Sequence, residues 1–169
     1  MNQKILFLFL ASLLILGGCK YSKRSSVYYN YETECMGVGK KGTTLIKVFS
    51  YAKKTNRAIE LAKKHAVHAV IFKGIPNGPR PGQSGCLSRG LARDPNAEQE
   101  NRLYFEKFFS DNGRYLSFVS LSNDGTIDPS DRMRVGNQYK IGVKVVVMHE
   151  ELRKQLEADG IVKGLNSGF

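Results

Sequence analysis

Residues 139–160 have the sequence YKIGVKVVVMHEELRKQLEADG, and this stretch decides the fold. Isoleucine or valine recurs at every second position of residues 139–148, which predicts a strand with one buried face. Residues 150–159 then predict a helix, because Leu152 and Leu156 lie four residues apart among charged side chains. The strand is the strongest in the sequence, and the segments before it supply the partners for it.

Two further strands are predicted near the start of the domain, at residues 27–36 and 43–51. Gly37, Gly39 and Gly42 lie between them, so an antiparallel hairpin is the natural interpretation. The same glycines match the GxGxxG spacing of dinucleotide-binding loops. Those loops connect a strand to a helix, whereas this one is expected to connect two strands, so we interpret the glycines as turn residues.

A helix is predicted after the hairpin, with Thr55 as its cap and Gly74 near its end. Its apolar positions are mostly alanines, which allow close packing against a sheet. His65 falls on the apolar stripe and His68 is expected beside it on the surface. Neither a cysteine nor an acidic residue lies nearby to complete a metal shell, so we expect two ordinary histidines and no metal site.

The remaining elements are less regular in sequence. Residues 75–97 contain four of the five prolines and are predicted to form a long loop, a feature that is usually functional or mobile. Residues 98–109 predict a second helix, residues 115–121 a strand and residues 122–134 a polar turn region. The chain of 169 residues has 41% hydrophobic and 24% charged residues, which is typical of one globular domain.

The N-terminus has the pattern of an export signal. Lys4 precedes residues 5–16, which are apolar except for Ser12. This run is too short for a bilayer about 30 Å thick, which requires roughly 20 apolar residues, and it fits a secretory signal. Leu16–Cys19 then resembles a bacterial lipobox, which implies removal of residues 1–18 and lipidation of Cys19. The alternative is an ordinary secreted protein with a chance cysteine.

Lipidation would anchor the protein to a membrane through the acyl chains, such as palmitate, on Cys19. Residues 19–27 would form the lipidated tether, in which Lys23 and Arg24 either contact headgroups or are merely solvated. Lys20 is not acidic, which in bacterial lipoprotein sorting favours the outer membrane over the inner one. We therefore expect the domain to face the periplasm.

Two cysteines remain after lipidation, Cys35 and Cys86. In an oxidising periplasm they either pair or stay as independent thiols, and the sequence leaves both outcomes open. A disulfide bond would join the first strand to the loop at residues 75–97.

The net charge and the sequence motifs limit the classes of function that the sequence supports. Lysine and arginine number 26 against 15 aspartates and glutamates, a net charge of +11. Export and the absence of nucleic-acid-binding motifs favour anionic headgroups, polymers or acidic proteins as counterparts, and no nucleic acid. The serines lie in no GxSxG motif, and no catalytic set of residues can be assigned. We expect no enzymatic activity, no cofactor and no metal.

Three segments together resemble a known group, the LPP20/FlgO-type lipoproteins and the related N-terminal domain of the flagellar protein FlgT. They are residues 57–67, 108–115 and 139–161, and the likeness spans residues 28–163. The resemblance implies a single α+β domain over those residues, with two or three helices packed on one face of a small antiparallel sheet. Residues 164–169 would then be a flexible tail.

The same resemblance implies an envelope component that binds other proteins and has no catalytic residues. The overall format is also similar to accessory lipoproteins of envelope-spanning machines, such as type VI secretion, in Bacteroidetes-type bacteria. We expect the hairpin edge and residues 75–97 to form the contact surface, because exposed edges and long loops are where partners bind. The alternative is an envelope lipoprotein that binds an anionic polymer or a small ligand through residues 75–97.

Overall fold

The computed structural model describes residues 29–39, 42–78 and 80–164. The expected signal peptide, Cys19, the whole tether at residues 19–27 and residues 165–169 lie outside these ranges. The described strands are β1 Tyr31–Val38, β2 Thr43–Ala52, β3 Ile75–Asn77, β4 Ser84–Leu87, β5 Val119–Leu121, β6 Arg132–Val135 and β7 Gln138–Met148. The helices are α1 Thr55–His68, α2 Ala97–Glu100, α3 Arg102–Phe108 and α4 His149–Ala158.

The main sheet is antiparallel throughout, with strand order β1-β2-β7 and both β5 and β6 on the far side of β7. β2 and β7 pair along their whole length, from Thr43 opposite Met148 to Ala52 opposite Tyr139. This pairing and the β1–β2 hairpin confirm the strands predicted from alternation. β3 and β4 form a separate two-stranded sheet.

One face of the main sheet is buried and the other is open to solvent. Ile46 and Val48 of β2 and Val145 and Val147 of β7 are fully buried on the inner face, each contributing about 1.5–3 kcal/mol by burial. The fully buried helix residues of the same core are Ala58, Ala62, Ala66 and Val67 of α1 and Leu152 and Leu156 of α4. The helices therefore cover a single face, and the α+β fold is confirmed.

Helix α1 differs from its prediction at both ends. Lys54 occupies the N-cap position without a side-chain cap, and Thr55 is already the first helical residue, so the predicted cap was wrong. The helix continues through one wide π turn, Ala69–Lys73, and ends at Gly74 with φ of +78°. A side chain at Gly74 would lie 2.8 Å from the backbone of Arg89, so the chain can pass here only as glycine.

Several irregular segments contain more structure than their sequences indicated. The predicted loop at residues 75–97 contains the β3–β4 hairpin, and β6 lies within the predicted turn region. The helix predicted at residues 98–109 is divided at Asn101, whose backbone leaves the helical region. The strand predicted at residues 115–121 begins only at Val119, after a 3₁₀ turn. None of the helices in the described ranges is both long and apolar enough to span a membrane.

Candidate functional site

The hairpin edge and the segment at residues 75–97 lie side by side. The structure joins Cys35 of β1 to Cys86 of β4 in a disulfide bond, with Cα atoms 5.4 Å apart. Cys35 is buried on the inner face of the sheet and Cys86 is partly buried against the same core. The bond thus holds the β3–β4 hairpin against the edge of β1.

An open groove of about 650 Å³ runs along this edge, and we refer to it as the β1 groove. One wall is formed by residues 31–34 of β1 and the other by residues 73–78, which include Lys73 and β3. Phe49 of β2 and Lys140 of β7 complete the lining. The two segments expected to form the contact surface therefore line one concave site.

The edge of β1 that faces the groove is free. β1 pairs with β2 alone, and residues 31–34 have no backbone hydrogen bond to another strand on the groove side within the part of the chain that the structure describes. Such an edge presents unpaired N–H and C=O groups that can pair with another chain. The groove therefore offers main-chain hydrogen bonds as well as side chains.

One of the two groove carboxylates is already neutralised. Glu32 accepts hydrogen bonds from Lys140 Nζ at 2.7 and 2.8 Å and from the Tyr51 hydroxyl at 3.1 Å. The hydrogen bond from Lys140 lowers the pKa of Glu32 below its usual range. Lys140 Nζ also lies 4.8 Å from the centre of the Phe49 ring, so the Glu32–Lys140 pair is fixed on the open face of the sheet.

The other carboxylate, Glu34, has no such partner. Glu34 lies opposite Lys47 in the β1–β2 register, but Lys47 Nζ donates to the buried carboxylate of Asp131 at 2.9 Å. Among residues 29–39, 42–78 and 80–164, no side chain makes an ion pair or hydrogen bond with the Glu34 carboxylate. The groove therefore carries one uncompensated negative charge at this end.

A buried cluster of rings lies where the chain enters β1. The Tyr31 hydroxyl and Nδ1 of His68 are hydrogen-bonded at 2.7 Å, and the ring of Tyr29 stacks on His68 with centroids 3.7 Å apart. Ser50 and Nδ1 of His65 are hydrogen-bonded at 2.9 Å. His68 is only 3% exposed, so the surface position predicted for it was wrong. The cluster attaches residues 29–31 to α1.

Burial determines the protonation states in this cluster. Desolvation, with the nearby charges of Lys64 and Lys73, lowers the pKa of His65 to about 4. Desolvation and Lys73 lower the pKa of His68 to about 3, while desolvation raises the pKa of Tyr29 to about 12. Both histidines are therefore neutral at neutral pH.

Ser50 and His65 are the two residue types that form an activated nucleophile, but a substrate has no access to this pair. A serine hydroxyl beside an imidazole is the usual arrangement of a hydrolase nucleophile. Here Ser50 is fully buried and His65 is 6% exposed, so a substrate cannot reach the hydroxyl. We interpret the pair as a satisfied polar contact of the core.

The other candidate motifs are placed as follows. Gly37 lies inside β1 at a bulge, and Gly39 and Gly42 lie between β1 and β2, so the three glycines connect two strands, which is incompatible with a dinucleotide loop. In the described ranges, no three His, Cys, Asp or Glu side chains are grouped to hold a metal ion.

The ring cluster and Lys73 were missed by sequence reasoning. A signal was present, because Leu61, His65, His68 and Phe72 are spaced by four, three and four residues, which places all of them on one helical face.

Comparison with known proteins gives no match, whether to a family model, to a curated protein or to a solved structure. The resemblance to LPP20/FlgO-type lipoproteins therefore stays a prediction that rests on the three sequence segments.

Proposed function

We propose that this chain is a non-enzymatic lipoprotein of the bacterial cell envelope that docks a protein component of an envelope assembly, such as a secretion system. Cys19 would hold it in the outer membrane, with the domain in the periplasm. The observation that carries the docking function is the β1 groove, where a free strand edge lies beside a loop segment. A free edge with an adjacent concave surface suits recognition of another polypeptide.

Two features support the envelope location. The lipobox-like Leu16–Cys19 follows a short apolar run, as in exported lipoproteins. The Cys35–Cys86 bond is of the kind that persists in oxidising compartments such as the periplasm. The bond also holds the β3–β4 hairpin, which supplies one wall of the groove, against β1, so export and groove formation are linked.

The Cys19→Ala variant is expected to leave the membrane fraction. Without the thiol no acyl chain can be attached, and each buried CH₂ contributes about 0.8 kcal/mol to membrane binding. Cell fractionation with labelled palmitate measures both effects. Cys86→Ser is the matched control, because it replaces another cysteine, one of the Cys35–Cys86 bond, but leaves the lipidation position intact. A Cys19→Ala variant that stayed in the outer membrane would contradict the anchor.

A photo-crosslinking amino acid at Asn77 is expected to capture one envelope protein. Asn77 is exposed in the wall of the groove, so a docked partner would lie within reach of it. The same amino acid at Lys107, which is exposed on α3, is the control and is expected to give no adduct of that size. Equal adducts at both positions, or none at Asn77, would argue against docking in the groove.

One observation favours the polymer-binding alternative. Arg80, Arg89 and Arg93 are exposed in the segment at residues 75–97, and no ion pair involves them in the described part of the chain. Such cations suit an anionic polymer, whose binding weakens steeply with salt. Capture of no protein at Asn77, together with salt-sensitive retention on lipopolysaccharide, would support this alternative.

A further inference from the structure

The β1 groove is specific enough to indicate the kind of segment that it accepts. This inference depends on the proposed docking function and concerns the same site. We propose that the partner supplies an extended segment that adds to the free edge of β1 as a further strand, with a lysine or arginine beside Glu34.

The shape of the site favours an extended segment over a helix or a folded surface. The open edge spans only residues 31–34, because the β3–β4 hairpin, held by the Cys35–Cys86 bond, lies against β1 farther along. A volume of about 650 Å³ beside four strand residues admits a short single strand. Strand addition would satisfy the unpaired N–H and C=O groups of the edge, which no side-chain contact alone does.

The charges disfavour a second copy of this chain as the occupant, above all in the register that brings two Glu34 carboxylates together. Glu32 and Glu34 are two residues apart, so both point to the open face of the sheet. In a symmetric antiparallel pairing of β1 with itself, every register centred on Glu32, Thr33 or Glu34 places one carboxylate opposite another. Like charges directly opposite one another destabilise a strand pair. The edge therefore selects against self-association and favours a cationic strand.

The position of the cation follows from which charges are already compensated. Lys140 and Tyr51 already donate hydrogen bonds to Glu32. A cation on the partner would therefore be stabilised most beside the carboxylate of Glu34, which has no such contact in the described residues. At the other end, Lys73 Nζ lies 4.3 Å from the centre of the Tyr31 ring and would repel a second cation there. The expected segment therefore has its positive charge toward Glu34 and an uncharged or acidic residue toward Lys73.

Synthetic peptides test this assignment. The probes are acetyl-Thr-Thr-Val-Lys-Val-Thr-amide and its counterpart with glutamate in place of the lysine, titrated calorimetrically into the full-length lipoprotein in neutral detergent. We expect the lysine peptide to bind about fivefold more tightly, since an opposite-charge cross-strand pair contributes up to about 1 kcal/mol. Glu34→Lys is expected to reverse the preference. Glu100→Lys, an exposed carboxylate on α2, is the matched control and should preserve it.

Amide hydrogen exchange distinguishes strand addition from simple charge attraction. Bound lysine peptide is expected to slow exchange at the amides of residues 31–34, because a new strand takes up their hydrogen bonds. Equal binding of both peptides, or a charge preference without slower exchange at β1, would overturn the proposal. Failure of the proposed function gives a different pattern, in which the peptide preference persists while Asn77 captures no envelope protein.

Discussion

Replacing Cys35 and Cys86 together by serine is expected to lower the free energy of unfolding by about 4 kcal/mol. The bond connects residues separated by 51 positions, and in the chain-entropy model closing a loop of this length restricts the unfolded chain by about that amount. A domain of this size has a total stability of roughly 5–15 kcal/mol, so the loss would be a large part of it. Urea unfolding followed by circular dichroism measures the difference.

The reductant dependence provides the control for this experiment. Dithiothreitol is expected to lower the unfolding midpoint of the wild-type protein toward that of the double variant, and to leave the double variant unchanged. The β1 groove should change as well, because the β3–β4 hairpin loses its covalent attachment to β1. Two thiols that alkylate freely in the native, unreduced protein would contradict the bond and remove one wall of the proposed site.

The hydrophobic pattern predicted the central strands because their burial is one-sided. Ile46 and Val48 alternate with partly exposed residues in β2, as Val143 and Val145 do in β7, so the period of two is visible without any knowledge of the partners. Their register follows, because a slip of one residue would turn these side chains to solvent. The three long strands of the main sheet, β1, β2 and β7, could therefore be predicted from the sequence, whereas β6 could not.

The β3–β4 hairpin could not be predicted in the same way. It is held by a disulfide bond and by close backbone contact at Gly85, where a Cβ would overlap Ile75 and Pro76. Both depend on distances across the fold, and its sequence of prolines and glycines is typical of loops. For the same reason, only part of the β1 groove could be predicted from the sequence. Its strand wall was predictable, whereas its second wall and the free charge on Glu34 depend on tertiary pairing.

His65 and His68 are a different case. The helical spacing indicated that His68 is buried, but its being a histidine suggested a surface position. His68 lies three residues after His65 and four before Phe72, so helical geometry places it on the packed face. Histidine is commonly found at surfaces, which favoured the wrong assignment. The hydrogen bond between Tyr31 and His68 makes the burial of His68 favourable, and Tyr31 lies in a strand that only the fold brings close.

Acidification from pH 8 to pH 5 is expected to lower the free energy of unfolding by about 4 kcal/mol through His65 and His68. Their pKa values in the folded protein are about 4 and about 3, against 6.5 in an unfolded chain. The unfolded chain therefore binds protons that the folded one does not. Stability is complete above pH 6.5 and falls as the pH decreases toward 4, by about 2 kcal/mol for each histidine at pH 5.

Urea unfolding midpoints at intervals between pH 8 and pH 5 measure this loss, in a window above the titration of ordinary carboxylates. Burial raises the pKa of Glu98, whose carboxylate lies 3.4 Å from Nε2 of His68, so its protonation in the folded protein offsets part of the loss at the acid end. Near pH 5 the slope should correspond to almost two protons taken up on unfolding. His68→Phe is expected to reduce it to about one proton, whereas His149→Gln, which alters a less buried ring on α4, should change it less. A slope near zero in the wild type would contradict the burial of the cluster. Because these rings attach residues 29–31 to α1, the same slope reports whether residues 29–31 are packed on the domain.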